Sequence, residues 1–202
     1  MDHSLIFWDV DTQVDFMLPE GKLYVPGAER IIPTLAKLTN WAAKHHVLVV
    51  ASVDAHQPSD QEFSQYPPHC LAGTPGQKKI SEASLSPQFT LPNRAGAVLP
   101  DAERYQQIII EKQEFDVFTN PKTDAFLAQL GKPEIVLYGV VTEICVSAAG
   151  RGLLDRGYRV TVVEDAIRHL DQKQGVAFLE EVRQRGGAIV TAEQLLNARA
   201  AA

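Results

Sequence analysis

At 202 residues the chain is long enough to bury a two-sided core, and 45% hydrophobic against 22% charged residues is a globular composition that excludes disorder. Nineteen Lys and Arg against 25 Asp and Glu leave a net charge of −6 with no long run of either sign, which excludes the basic stripe that nucleic acid requires. The start, Met1-Asp2-His3-Ser4, lacks a basic export segment, and no apolar run approaches the roughly 20 residues of a membrane span, so a cytoplasmic protein with no membrane partner is expected.

In chain order, Leu5-Ile6-Phe7-Trp8 reads as a first strand ending at Asp9-Val10-Asp11. A helix follows from about Ala28 to His45, with Ile31, Ile32, Leu35, Leu38 and Trp41 on one face. His45-His46 marks its polar end. Val47 to Val53 is a second strand, continuously apolar. Between about Asp54 and Asp101 lies a Pro-, Ser- and Gln-rich stretch with little periodicity, which a compact domain keeps only for a functional or mobile loop. Four more strands are expected at Ile108–Ile110, Ile135–Tyr138, Val160–Val163 and Ala188–Val190. Helices fill the gaps at about Thr123–Leu130, Thr142–Arg156, Lys173–Gln184 and Ala192–Ala200.

Continuous apolar strands alternating with helices predict a three-layer, doubly wound α/β domain over residues 1–202, with about six parallel strands and helices on both faces. Such a fold places its site beyond the carboxyl ends of the strands. The expected strand ends there carry Asp11, then Asp54 and His56, then Lys112, then Thr142 to Cys145. No Gly-rich phosphate fingerprint is present.

Two cysteines without an export signal are expected as free thiols. Cys145 follows Gly139-Val140-Val141 at a helix start where Thr142 is the expected N-cap, a position that favours a thiolate and offers backbone N–H groups to an oxyanion. The alternative is a buried cysteine packing helix against sheet. Asp11 is the candidate base, against a loop acid capping its own turn. Lys112 on a buried strand calls for a carboxylate partner, against a lysine snorkelling at the sheet edge. Asp54 and His56, two apart on a strand end, face the same way, and His69 in Pro67-Pro68-His69-Cys70 is a candidate third metal ligand. Glu62 and Asp60 are candidate extra ligands, against ordinary solvated acids. His3 and His169 are assigned no role, and none is assigned to Cys70.

These segments together resemble the isochorismatase-like cysteine hydrolases, and within them the nicotinamidases. Val10-Asp11-Thr12-Gln13-Val14-Asp15-Phe16 is similar to the family's opening motif, Gly139 to Val146 to its nucleophile motif, and Lys112 to its lysine, over roughly Leu5 to Val190. The resemblance implies a thioester mechanism with Cys145 as nucleophile, Asp11 as proton shuttle and Lys112 holding the pair. It implies a non-proline cis peptide at Val140–Val141, oxyanion donors at the Val141 and Cys145 amides, and one divalent ion (zinc, manganese or iron) on Asp54, His56 and His69, with no organic cofactor. Phe16 matches a substrate-sandwiching aromatic, and Tyr66 stands where nicotinamidases commonly carry tryptophan. Gln113 to Pro121 lacks the small, tyrosine-rich character of the subgroup. The implied reaction is nicotinamide to nicotinate and ammonia, with pyrazinamide as a further substrate and a dimeric or tetrameric assembly.

Other readings compete. A metal-independent amidase or ether hydrolase stays within the family. Leu5 to Thr12 also fits an aspartate-nucleophile phosphatase of the haloacid dehalogenase type, with Asp9 as nucleophile, Asp11 as acid/base, Ser52 and Lys112 on phosphate, and Glu164-Asp165 as magnesium acids. A non-catalytic binding scaffold is the third.

Overall fold

The computed structural model describes residues 3–200, so the Met1-Asp2 start and the last two positions of the expected 1–202 domain lie outside it. Seven strands form one parallel sheet: β1 (Leu5–Val10), β2 (Leu48–Asp54), β3 (Gln88–Leu91), β4 (Gln107–Lys112), β5 (Glu134–Val140), β6 (Arg159–Arg168) and β7 (Ala188–Val190). Their order is β3-β4-β2-β1-β5-β6-β7. The helices are α1 (Val14–Met17), α2 (Ile32–Lys44), α3 (Thr123–Gln129), α4 (Ser147–Asp155), α5 (Gln172–Gln184) and α6 (Ala192–Ala200). Among the described residues no helix is long and apolar enough to cross a membrane.

The continuous apolar strands are buried because both faces of the sheet are covered; every residue of β2 is buried. Alternation along β1 shows the two layers. Phe7 stacks on Trp41 of α2, with ring centroids 5.6 Å apart, and meets Tyr138 of β5 edge-on. Trp8 turns to the opposite face and packs toward Phe118. On that face Gly150 of α4 lets Phe178 of α5 and Leu137 of β5 close together; a Cβ there would lie 2.7 Å from Phe178. Arg156 bridges α4 to α3 through a two-pronged contact with Asp124 and covers the Phe118 ring at 3.5 Å.

Two expectations are corrected. The sheet has seven strands, not six, because β3 lies inside the stretch read as loop. Four residues between Pro87 and Pro92, two of them exposed on an edge strand, are too short and too polar to show a period. The expected helix from Thr142 begins instead as a π-turn over Thr142–Val146, and α4 starts at Ser147.

From β1 the chain winds outward through β2 on one side and, after returning, through β5, β6 and β7 on the other. The switch point therefore falls between β1 and β5, where a doubly wound sheet opens its crevice.

Candidate functional site

Four strand ends meet at this switch point. Asp11 directly follows β1 and holds a left-handed backbone, φ 51°. Its N–H donates to the Ser52 carbonyl at 3.1 Å, and Ser52 Oγ donates to its Oδ1 at 2.6 Å. Asp54 and Lys112 end β2 and β4 as register partners, which puts both side chains on one side of the sheet. The Lys112 ammonium lies 2.8 Å from Asp11 Oδ2, bonds to Asp54 Oδ1, and sits 3.6 Å from Cys145 Sγ. One cation therefore joins the thiol, the candidate base and the candidate metal acid.

All these side chains are buried. Burial opposes the Lys112 charge, but Asp11 and Asp54 outweigh it and hold the ammonium protonated. Burial likewise opposes ionisation of Asp54, and Lys112 reverses that, keeping it below the usual carboxylate range. For Asp11 burial wins and its proton affinity rises. Burial also lifts the Cys145 thiol well above its ordinary range against the pull of Lys112. Burial thus works against the thiolate that a helix start alone would favour, and Lys112 brings the thiol and the Asp11 carboxylate to one ammonium.

Thr142 is not an N-cap. Val141 occupies that position, and Thr142 Oγ1 is buried without a hydrogen-bond partner. The Val141 carbonyl accepts from the Ile144 and Val146 amides, both at 3.1 Å, which passes over the Cys145 N–H. Single π-turns of this kind are frequent at functional sites. The Val140–Val141 peptide is cis.

Asp54, His56 and His69 form a buried cluster whose ligand atoms lie within 4.8 Å of one another. Each imidazole uses Nδ1 locally: His56 with Asp60 Oδ2 and His69 with the Pro67 carbonyl, both at 2.9 Å. Each Nε2 is buried with no hydrogen-bond partner. Two inward-facing Nε2 atoms beside a carboxylate fit a divalent ion of the zinc, manganese or iron type. Burial pushes the His69 pKa down and so favours the neutral, ligating imidazole. Glu62 approaches both Nε2 atoms, at 3.6 Å from His69 and 3.9 Å from His56. Asp60 differs from the expectation: it orients His56 from the far side of the ring.

A cavity of about 140 Å³ opens on Cys145, Asp54 and His69, and Phe16 and Tyr66 both line it. Leu23, Tyr24, Val25, Phe115 and Leu170 also line it and were not singled out from the sequence. Phe115 and Leu170 are large apolar side chains left 40% and 55% exposed, yet a sequence does not display exposure. The opening motif also gains a reason. Gln13 clamps the backbone of Asp54, accepting from its N–H at 2.7 Å and donating to its carbonyl at 2.8 Å. Asp15 accepts from the Cys70 N–H at 2.7 Å and so holds the turn that carries His69.

The phosphatase set does not assemble. Asp9 is bound to Lys79 and Thr12, Ser52 is bonded to Asp11, and Glu164 and Asp165 lie exposed on β6.

A parallel α/β sheet with this cleft at its switch point defines a class of three-layer proteins built to bury reactive side chains at strand ends. The chain belongs to the isochorismatase family, whose domain model matches residues 5–194. It is similar to the nicotinamidase of Saccharomyces cerevisiae, 29% identical over 187 residues covering 79% of this chain and 85% of that protein. Among solved structures it resembles the pyrazinamidase of Pyrococcus horikoshii in complex with zinc, with TM-score 0.76 and 26% identity over 93% of this chain and 99% of that one. It also resembles the N-carbamoylsarcosine amidase of Thermoplasma acidophilum, with TM-score 0.73 and 26% identity over 93% and 95% of the two chains.

Proposed function

We propose that this chain is an amide hydrolase that converts nicotinamide to nicotinate and ammonia, with pyrazinamide as a second substrate. The observation that carries the reading is the buried Lys112 ammonium, which contacts Asp11 and joins it to Cys145 and Asp54, two residues on the wall of one aromatic-lined cavity. Relatives named as nicotinamidase and as zinc-bound pyrazinamidase support it.

In this reading Cys145 Sγ attacks the carboxamide carbon while Asp11 takes the thiol proton. Burial opposes the thiolate and raises the proton affinity of Asp11, so transfer of the thiol proton to Asp11 is the step that arms the nucleophile. The backbone amides of Val141 and Cys145 receive the developing oxyanion. As the C–N bond breaks, Asp11 returns its proton to the nitrogen, releasing ammonia and leaving a thioester. Water then adds to the thioester, giving Asp11 a proton that passes to sulfur as the C–S bond breaks. Lys112 keeps the base and the thiol in register throughout. Asp54, His56 and His69, with Glu62 as a further ligand, would hold a divalent ion that supplies a Lewis-acid contact for the ring nitrogen. Phe16 and Tyr66 flank the ring.

Ammonia release from nicotinamide, pyrazinamide, benzamide and a small aliphatic amide tests the assignment. Nicotinamide and pyrazinamide are expected to be preferred, because benzamide lacks the ring nitrogen. Preference for the aliphatic amide overturns the substrate, and undiminished turnover by Cys145→Ala overturns the mechanism.

A further inference from the structure

Beneath Asp11 lies a second buried ion pair that the proposed mechanism does not use. Asp9 is fully buried in the central strand β1, and the Lys79 side chain is 3% exposed. Lys79 Nζ lies 2.7 Å from Asp9 Oδ2 and 2.7 Å from Thr12 Oγ1, and Thr12 Oγ1 donates to the same Asp9 oxygen at 3.0 Å. The three side chains close a triangle, and two of them, Asp9 and Thr12, bracket Asp11 in the chain. Neither Asp9 nor Lys79 belongs to the motif that runs from Val10 to Phe16.

The backbone extends this weld. Residues 76–80 run along residues 12–15: the Val14 N–H donates to the Lys78 carbonyl at 2.9 Å, Ile80 to Thr12 at 3.0 Å, and Asp15 to Gly76 at 3.1 Å. Lys79 itself bridges Gln13 in antiparallel fashion. Gln13 Nε2 donates both to the Gln77 carbonyl, at 2.7 Å, and to the Asp54 carbonyl, at 2.8 Å. The segment that carries Lys79 therefore reaches the metal-ligand strand end through one side chain. Asp11 needs such support because a left-handed backbone is unfavourable for an L residue with a side chain.

We propose that Lys79 and Asp9 are positioning residues that lock the Asp9–Gln13 turn and thereby aim Asp11 at the Cys145 thiol. This rests on the reading of Asp11 as the base. Displacement of a reacting group by about 1 Å costs up to about a hundredfold in rate, so the locked turn acts on chemistry and not on substrate binding.

The test uses Asp9→Leu/Lys79→Met, which removes both charges together and leaves no unpaired ion in the core. Three quantities are read well below its Tm: Cys145 alkylation by iodoacetamide, kcat and KM for nicotinamide. The proposal expects a folded protein in which alkylation and kcat fall about tenfold or more while KM stays within about threefold. Wild-type alkylation and kcat in the folded double variant overturn it, because a purely structural pair would leave both unchanged. Should the double variant not fold, Thr12→Val decides by the same outcomes, since it deletes only the bridging hydroxyl; about threefold slowing is expected there. Alkylation reports on the thiol and its base whatever the substrate, so a wild-type enzyme inert toward nicotinamide would sink the substrate assignment and leave this test intact.

Discussion

His56 and His69 illustrate how a single hydrogen bond decides what a side chain can do. With Nδ1 held by Asp60 or by the Pro67 carbonyl, each ring turns Nε2 inward, 3.8 Å (His56) and 3.9 Å (His69) from Asp54 Oδ2. Asp60→Ala is therefore expected to weaken divalent-ion binding about 10–100-fold without touching the ion, measured by titration of metal-free protein with zinc. Unchanged affinity would mean that Asp60 does not set the His56 tautomer. Cys145 makes the converse point. A helix start alone favours a thiolate, but full burial beside two carboxylates favours the thiol, and burial is the larger effect. Cys70, also buried and pushed up by burial, rests against the Gly76 carbonyl.

The strands matter for what they present at their ends. Gly139 sits where β5 presses against β1 at φ 118°, and a Cβ there would lie 2.1 Å from the Val10 carbonyl oxygen. Gly139→Ala is expected to destabilise by about 3 kcal/mol or more, since the atoms in the way are Val10 backbone and cannot swing aside; chemical denaturation measures it, and a loss under about 1 kcal/mol would contradict the packing. The turn before α5 closes the cavity wall with Leu170, held by Glu143 Oε1, which accepts from the Leu170 and Asp171 amides at 2.9 and 2.6 Å. Asp171 then caps α5, accepting from the Lys173 and Gln174 amides. The Gln174 side chain and amide hold the Asp171 carboxyl below its usual range. A depressed folded-state pKa contributes stability above the unfolded pKa and loses it as pH falls through the folded one. Asp171→Ala should accordingly lower Tm at neutral pH, with the difference narrowing through and below the carboxylate range. A difference independent of pH would rule out the charged cap.

At the scale of the whole molecule, the Asp54–His56–His69 cluster ties the end of β2 to the turn bearing His69, so an ion held there would link its binding to folding. Zinc at about a hundred times its Kd is expected to add about 2.7 kcal/mol and to raise Tm by about 5–10 °C, with no such rise in His56→Ala/His69→Ala. Equal shifts in both proteins, seen by scanning calorimetry, would place the ion elsewhere. Much of this architecture was legible from residue order alone. Continuous apolar runs marked six strands and the parallel sheet, because burial on both faces leaves no polar alternation, and the strand ends pointed to Asp11, Asp54, His56, Lys112 and Cys145. β3 escaped because an edge strand of four residues has one buried position and no period. The cavity wall of Leu23, Tyr24, Phe115 and Leu170, the Lys79–Asp9 pair and the burial that acts on the Cys145 thiol were decided only in three dimensions. Each depends on distances between residues remote in the chain and on how much water is excluded there, and neither quantity is carried by local composition or spacing.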